Sequence, residues 1–336
     1  MIRNYSPKRS VPNGLLPMKS PDGIHWTLMS EKPVISDGEF DSQNLAFGDA
    51  ERKEYRAYWR YKINYVREIR TAVSKDFMNW TNVQDLHYID SPLEELYTNV
   101  VKPYYRAPQI FIGLPVRWVH RGDRQVIEEL PDPKNRAARS TGPGTIITES
   151  LLMSSRDGRL FNRWNEAFLR PGIERPGTWI YGQQYIAWSM VESKSALEGA
   201  PNEISFYAEE GPFGTIPGHP NANGYRRYIL RLDGFVSVNA SMKGGEVITR
   251  PMIFEGNTLE LNFSTSAAGS IQVEIQDEDE HPMPGYTLKD CPEIFGDSVN
   301  RKVSWIQRSD VSGLNGKKIR LRFVMKDADL YAFKFI

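Results

Sequence analysis

The chain has 336 residues with 42 basic and 42 acidic side chains, a balance that gives no nucleic-acid footprint and points to a neutral or small partner. No apolar run reaches the roughly 20 residues needed to cross a bilayer, so no membrane segment is expected. The single Cys291 excludes an internal disulfide framework and a cysteine-based zinc site.

The N-terminal MIRNYSPKRSVPNG has basic residues without an apolar core behind them, so it does not read as a signal peptide, and the compartment is left open. KSPDGIHW follows at 19–26, and its Ser-x-Asp-x-x-x-aromatic run returns as SKDFMNW from Ser74 and SRDGRLF from Ser155. The later copies follow apolar or small strands (IRTAVS, SLLMSS), and each copy ends on an aromatic that opens the next strand. This is a hairpin signature. The Ser and Asp side chains can bond turn N–H groups, and Gly at the fourth position of two copies accepts positive φ.

Strand signals dominate the rest, in EYRAYWRY, REIRTAVS, QIFIGLPVRW, YIAWSMVE, ISFYAEE, RRYILRL, SIQVEIQD, KIRLRFVM and YAFKFI. Four strands fit between 41 and 83, with the repeated turn joining the third to the fourth. A repeated four-stranded unit of roughly 45 residues is a β-propeller blade. A second blade is expected over 96–170, with strands YTNVVKPY, QIFIGLP, SLLMSS and NEAFLRP and an insertion at 119–147. A third is expected over 183–235, where the motif has decayed to RLDGF. One helical turn fits 193–199. No complete blade precedes Ser20, so the ring is expected to be incomplete at its N-terminus. From Ser237 the alternation fits two packed antiparallel sheets. The predicted fold is all-β, a propeller over 1–236 followed by a β-sandwich over 237–336.

SPDGIHW, FDSQNLAFGD, LYTNVV, MSSRDG with a following RPG, LRLDGFVSVNA, GGEVITRP and the ending DADLYAFKF together resemble bacterial proteins similar to the N-terminal domain of glycoside hydrolase family 32. The resemblance covers nearly the whole chain. It implies a propeller of the five-bladed type with a C-terminal β-sandwich, and a glycosidase acting on plant or algal poly- or oligosaccharide. The W-x-N-D-P-N-G run, the R-D-P triplet and the E-C pair of invertases are absent.

Cleavage of a glycosidic bond generally needs two carboxyl groups, one as acid and one as nucleophile or base. On a propeller these are sought where blades begin. Asp41, in FDSQN, is the candidate nucleophile or base; an Asx turn is the alternative. Glu149, at TESLLM, and Glu209, at the end of ISFYAEE, are the candidate acids. Glu210 is adjacent to Glu209 and would face the other way, and Glu94 and Glu95 are weaker candidates. Arg60 and Arg117, with Arg67, border the same face and can bind hydroxyls or a carboxylate, and Tyr97, Tyr185 and Trp188 can stack on a sugar. Asp22, Asp76 and Asp157 are assigned to the turns. The histidines show no metal-ligand spacing, and no cofactor motif is present, so neither metal nor cofactor is expected. The competing reading is a non-catalytic carbohydrate-binding protein with an open or degenerate propeller. Exposed blade edges would also allow two chains to pair.

Overall fold

The computed structural model describes residues 2–5, 13–120, 122, 129, 146–173, 184–211, 224–306 and 308–336. Among them strands dominate, no α-helix occurs, and helical geometry is confined to 3-10 turns such as Ser312–Leu314. The chain divides into two units, one of residues 1–190 with 206–228 and one of residues 191–205 with 229–336.

In the first unit β1 (Ile2–Tyr5), β2 (Gly14–Lys19) and β3 (Thr27–Leu28) form an antiparallel sheet in that order. The next four strands, β4 (Leu45–Asp49), β5 (Glu54–Ile63), β6 (Val66–Ser74) and β7 (Trp80–Asp85), form an antiparallel meander. They are followed by β8 (His87–Ile89), β9 (Lys102–Tyr104), β10 (Ala107–Gly113), β11 (Val116–His120), β12 (Ile146–Ser150), β13 (Met153–Ser155) and β14 (Leu160–Arg163). A five-stranded sheet has the order β8-β14-β13-β10-β9, with β8 parallel to β14, while β11 and β12 pair with each other. The expected insertion lies between these two, and apart from its ends and residues 122 and 129 it falls outside the described residues. Next come β15 (Gln184–Ile186), β16 (Val191–Ser193), β17 (Glu203–Glu210) and β18 (Gly224–Arg231). β15 pairs with the C-terminal end of β17, while β16 and residues 203–205 of β17, which pair with each other, belong to the second unit.

The three Ser/Asp copies join β2 to β3, β6 to β7 and β13 to β14, and in each the Asp carboxylate accepts from two N–H groups of the turn. Ser20 Oγ accepts from Gly23 N at 2.8 Å, and Asp22 Oδ1 accepts from Ile24 N and His25 N, both at 2.8 Å. Asp76 takes Met78 N at 2.9 Å and Asn79 N at 2.7 Å, and Asp157 takes Arg159 N and Leu160 N at 2.8 Å. The indoles of Trp26 and Trp80 fold back to donate to the carbonyls of Gly23 and Phe77 at 3.0 and 3.1 Å. The fourth position is left-handed in each copy, with φ of 77° at Gly23, 67° at Phe77 and 76° at Gly158. Phe77 adopts it without glycine's freedom, and its ring packs on Tyr55 and Trp80 at 5.1 and 5.5 Å.

Alternation along β5 explains how the sheets stack. Ala57 and Trp59 pack with Leu15, Ile35 and Phe40 on one side, and Tyr58 packs with Val101, Phe111, Met153 and Phe161 on the other. The β4–β7 sheet is thereby buried on both faces, between the sheet before it and the sheet after it. Burying aromatic side chains such as these is worth about 1.5–3 kcal/mol each. The polar tips are satisfied: Trp59 Nε1 donates to Asp37 O at 2.8 Å and Tyr58 Oη to Gly158 O at 2.7 Å.

Several expected strands are shorter or shifted. YTNVVKPY pairs only at Lys102–Tyr104, because Val100 takes a φ of 46° that interrupts the extended run. QIFIGLPVRW breaks after Gly113 into β10 and β11, at a Leu-Pro step whose proline lacks an N–H to donate. The fourth strand of that sheet is Leu160–Arg163 instead of NEAFLRP, since the tight Asp157 turn delivers the chain straight into pairing. NEAFLRP keeps only the Ser150–Leu169 bridge. At 193–199 no helical turn forms. β16 ends there, and a turn closes through Ala200 N to Leu197 O, with Gly199 at φ 75°.

The second unit is built on two long paired strands. β19 (Val238–Ala240), β20 (Gly245–Ile248), β21 (Leu259–Gln276), β22 (Asp297–Lys302) and β23 (Arg320–Phe335) form one sheet in which β21 and β23 pair along most of their length. β19 and β20 add to β23, and β22 adds to β21. Register shifts near Phe263 and between Thr265 and Ser270 bend this ladder. Alternate residues Leu259, Leu261 and Phe263, then Ile271, Val273 and Ile275, meet Leu321, Phe323 and Met325 in a core that also holds Trp305 and Cys291. Burial raises the Cys291 thiol above its ordinary pKa.

Candidate active site

Asp41 lies in the turn four residues ahead of β4. Its carboxylate takes a hydrogen bond from Arg60 Nη2 of β5; the Arg60 side chain is 5% exposed and the Asp41 side chain 70%. A buried cation thus holds a carboxylate that solvent reaches. The Arg60 guanidinium lies 4.9 Å from the Tyr97 ring centre and that of Arg67 lies 5.5 Å from it. Arg67 also sits 5.1 Å from the Trp118 ring and bonds Glu95 at 2.8 Å. Ser42 Oγ donates to Tyr97 O at 2.7 Å, which ties the Asp41 turn to this segment.

Tyr97 meets Tyr185 edge to face, with centroids 5.8 Å apart. Tyr185 stands opposite Glu209 in the β15–β17 ladder, so side chains from Asp41 to Glu209 follow one another through Arg60, Tyr97 and Tyr185. Glu210, next along β17, is buried, in keeping with strand alternation.

Glu149 belongs to β12 and stands opposite Arg117 of β11. Arg117 donates to Glu149 Oε1 through Nη2 and to Glu94 Oε1 through Nη1 at 2.6 Å. Arg163 Nη2 is 3.1 Å from the other Glu94 oxygen, and Arg170 Nε is 3.1 Å from Glu149 Oε2. Burial works against the Arg117 charge, but hydrogen bonds to Glu149 and Glu94 outweigh it and raise its pKa. Leu96, beside Tyr97, bridges to Arg117, so this ion-pair chain adjoins the Tyr97 cluster.

Trp188 is the sequence candidate that stands elsewhere. It stacks on Phe47 at 6.1 Å, donates to Val101 O at 3.1 Å and lies under Lys102. Tyr97 is also altered in meaning, because two guanidinium groups already lie over its ring.

Sequence reading missed Glu68 on β6. It is buried, accepts from Tyr88 Oη at 3.0 Å, and its other oxygen has no partner among the described residues. Burial pushes its pKa up to about 7, against the opposing pull of the Tyr88 hydrogen bond and the Arg163 charge. Its one signal was an acid inside REIRTAVS, a run otherwise fit for burial. Arg163 and Arg170 were missed as well, since their partners come from distant segments.

No protein-family model matches the chain, and no curated protein matches it. Solved structures similar to it include carbohydrate-active enzymes. They include an N-acetylgalactosamine deacetylase from F. plautii, 13% identical with a TM-score of 0.41, aligned over 65% of this chain and 64% of that one. A GH32 β-fructofuranosidase of Bombyx mori is 10% identical with a TM-score of 0.39, over 96% of this chain and 73% of that one. A fructofuranosidase from Schwanniomyces occidentalis is 10% identical with a TM-score of 0.36, over 99% and 91%. The chain therefore spans 64% of the length of the deacetylase. At these scores the likeness is one of distant fold, and no residue role is carried over from it.

Among the described residues no group of three or more His, Cys, Asp and Glu side chains is arranged to hold a metal, and no helix is long and apolar enough to cross a membrane. A cleft of about 360 Å³ lies within the second unit beside Asn202, Arg231 and Asp297. Arg231 is already engaged by Asn262, Asp297 and two backbone carbonyls, which marks it as a brace for the strands.

Proposed function

We propose that the chain is a glycoside hydrolase acting on plant or algal poly- or oligosaccharide, with Asp41 as nucleophile or base and Glu149 or Glu209 as acid. The fold reading that accompanies it is a propeller of the five-bladed type, incomplete at its N-terminus, followed by a β-sandwich. Sheets stacked in chain order with the same Ser/Asp corner support that architecture. One observation carries the chemistry: the Asp41 carboxylate faces solvent while buried Arg60 fixes it beside the Tyr97–Tyr185 pair. A carboxylate held by a guanidinium is suited to act as base or nucleophile, and Tyr185 offers a surface for a sugar ring next to Glu209.

Between the two acids the geometry favours Glu209. Glu149 has a side chain only 2% exposed and lies under Arg170, so it meets a substrate only if that arginine moves. Glu209 is partly exposed and makes no ion pair with a described residue.

The test is hydrolysis of a panel of aryl furanosides, aryl pyranosides and glycans by the chain and its Asp41→Ala, Glu149→Gln and Glu209→Gln variants. Asp41→Ala and Glu209→Gln are expected to lower kcat/KM on the order of 10²- to 10⁴-fold. Activity unchanged in both removes them from the mechanism.

A second reading, a non-catalytic carbohydrate-binding protein, has one observation in its favour. Asp41, Glu94, Glu95 and Glu149 all carry an arginine partner, an arrangement that also serves a rigid binding face. Glycan retention without product, surviving loss of all these acids, identifies it.

A further inference from the structure

Beside Glu149 stand two arginines that cleavage of a neutral sugar does not require. The side chains of Arg170 and Arg226 are 61% and 57% exposed, unlike the buried Arg60 and Arg163. Each is ion-paired with a glutamate that solvent scarcely reaches. Arg170 Nε lies 3.1 Å from Glu149 Oε2, and Arg226 Nη1 lies 3.7 Å from Glu210 Oε1. The Tyr228 ring, 5.1 Å from the Arg226 guanidinium, adds a second constraint on that side chain.

The two glutamates flank a single residue, Gln184. Glu210 stands opposite it in the β15–β17 ladder, and the neighbours of Glu149 on β12 bond it: Ser150 Oγ reaches its side chain and Thr148 Oγ1 accepts from its N–H, both at 2.9 Å. The segment Arg170-Pro171-Gly172 connects the arginines directly. A Cβ on Gly172 would sit 3.0 Å from Arg226 Nη1 and 3.2 Å from Glu210 Oε2. Two residues of chain span at most about 7 Å, so Arg170 and Arg226 belong to one patch.

An exposed arginine ordinarily loses much rotamer freedom when it binds something. Here each guanidinium is already paired on one side with a glutamate, while more than half of each side chain stays exposed. Such an array suits a planar carboxylate or a tetrahedral sulfate. Because the paired glutamates offset the two positive charges, geometry more than net charge selects the ligand.

We propose that Arg170 and Arg226 form an anion-recognition subsite beside Glu149, which takes a carboxylate or sulfate group carried by the glycan. The choice of a glycan as carrier rests on the reading given under Proposed function. The subsite gives that reading a substrate class, namely acidic sugars.

Calorimetric titration of the whole chain with a neutral galactotriose, a sulfated galactotriose, a galacturonate trisaccharide and inorganic sulfate tests it. At least one acidic trisaccharide should bind about tenfold or more tightly than the neutral one, and the two acidic arms separate sulfate from carboxylate. Arg170→Gln and Arg226→Gln should each weaken that binding about tenfold, the loss of a charge-assisted contact, with neutral binding unchanged. The proposal is overturned if acidic and neutral trisaccharides bind alike, if no acidic trisaccharide binds, if the double variant keeps the preference, or if sulfate alone binds as well as the sulfated sugar. Cleavage of neutral glycans without acidic preference removes the subsite and leaves the hydrolase standing. Acid-dependent binding without cleavage supports the subsite and ends the hydrolase reading.

Discussion

The hydroxyl of Tyr58 donates a 2.7 Å hydrogen bond to the carbonyl of Gly158, a residue one hundred positions further along the chain. It joins the middle of one sheet to the repeated corner of the next. Tyr58→Phe leaves that carbonyl without its partner in a buried place and is expected to cost about 1–3 kcal/mol. Gly158→Ala should cost more, since its φ of 76° disfavours a side chain and the new Cβ would lie 2.7 Å from Tyr58 Oη and 2.8 Å from Arg56 Nη1. Urea denaturation of the two variants checks both the values and their order.

The corner aspartates make stability sensitive to acid. In Asp22 the hydrogen bonds from His25 and Ile24, and in Asp76 those from Asn79 and Met78, hold the carboxyl well below its usual pKa. In Asp157 burial acts the other way but is outweighed by the bonds from Arg159 and Leu160. A depressed folded pKa means stability that is present above the unfolded value near 3.8 and is lost as pH falls through the folded value. Asp157→Ala, which removes two backbone acceptor contacts, should lower stability by about 1–2 kcal/mol at neutral pH and by less near pH 2. Melting curves from about pH 2 to 7 measure the convergence.

Glu68 acts with the opposite sign. Its folded pKa of about 7 lies above the ordinary 4.5, so the folded chain holds a proton that the unfolded chain releases. Its contribution is fully present below about pH 4.5 and declines as pH rises to about 7, by roughly 3 kcal/mol at most. Glu68→Gln keeps an acceptor for Tyr88 and should flatten stability over that window, leaving the variant the more stable of the two at pH 8. An unchanged slope in denaturation at pH 5, 6 and 7 would show that Glu68 is not the titrating group.

Arg117 is the counter-charge to two acids at once. Arg117→Met leaves Glu94 to Arg163 and Glu149 to Arg170, and is expected to destabilise the first unit by about 1–3 kcal/mol. Adding Glu149→Gln removes one of the two carboxylates that Arg117 offsets and should recover part of the loss. A double-mutant cycle on unfolding free energy gives the coupling; strict additivity would mean the pair contributes no interaction energy of its own.

What the sequence made legible follows from the range over which each signal acts. The Ser/Asp corners could be read because side chain and backbone partners lie within three residues, and the all-β character because alternation and β-branched runs are local. Positions such as Asp41, Arg60, Tyr97 and Tyr185 could be proposed from where strands begin. Their actual neighbours depend on pairing across 19 to 88 positions, as Arg60 with Asp41 and Tyr185 with Tyr97 show. Glu68 and the Arg170–Glu149 contact were hidden for the same reason, because nothing near them in the chain announces the partner. NEAFLRP looked like a strand because its composition suits one, yet the Asp157 corner had already placed Leu160 in the ladder.

The solitary thiol of the second unit offers a way to watch that unit alone. Cys291 is 2% exposed among Val273, Trp305 and their neighbours, and burial keeps it in the unreactive protonated form. A thiol-reactive dye should therefore stay silent on the native chain and report the opening of this core as a rate. With no other cysteine in the sequence, labelling would register unravelling there while remaining blind to whatever happens around Tyr58.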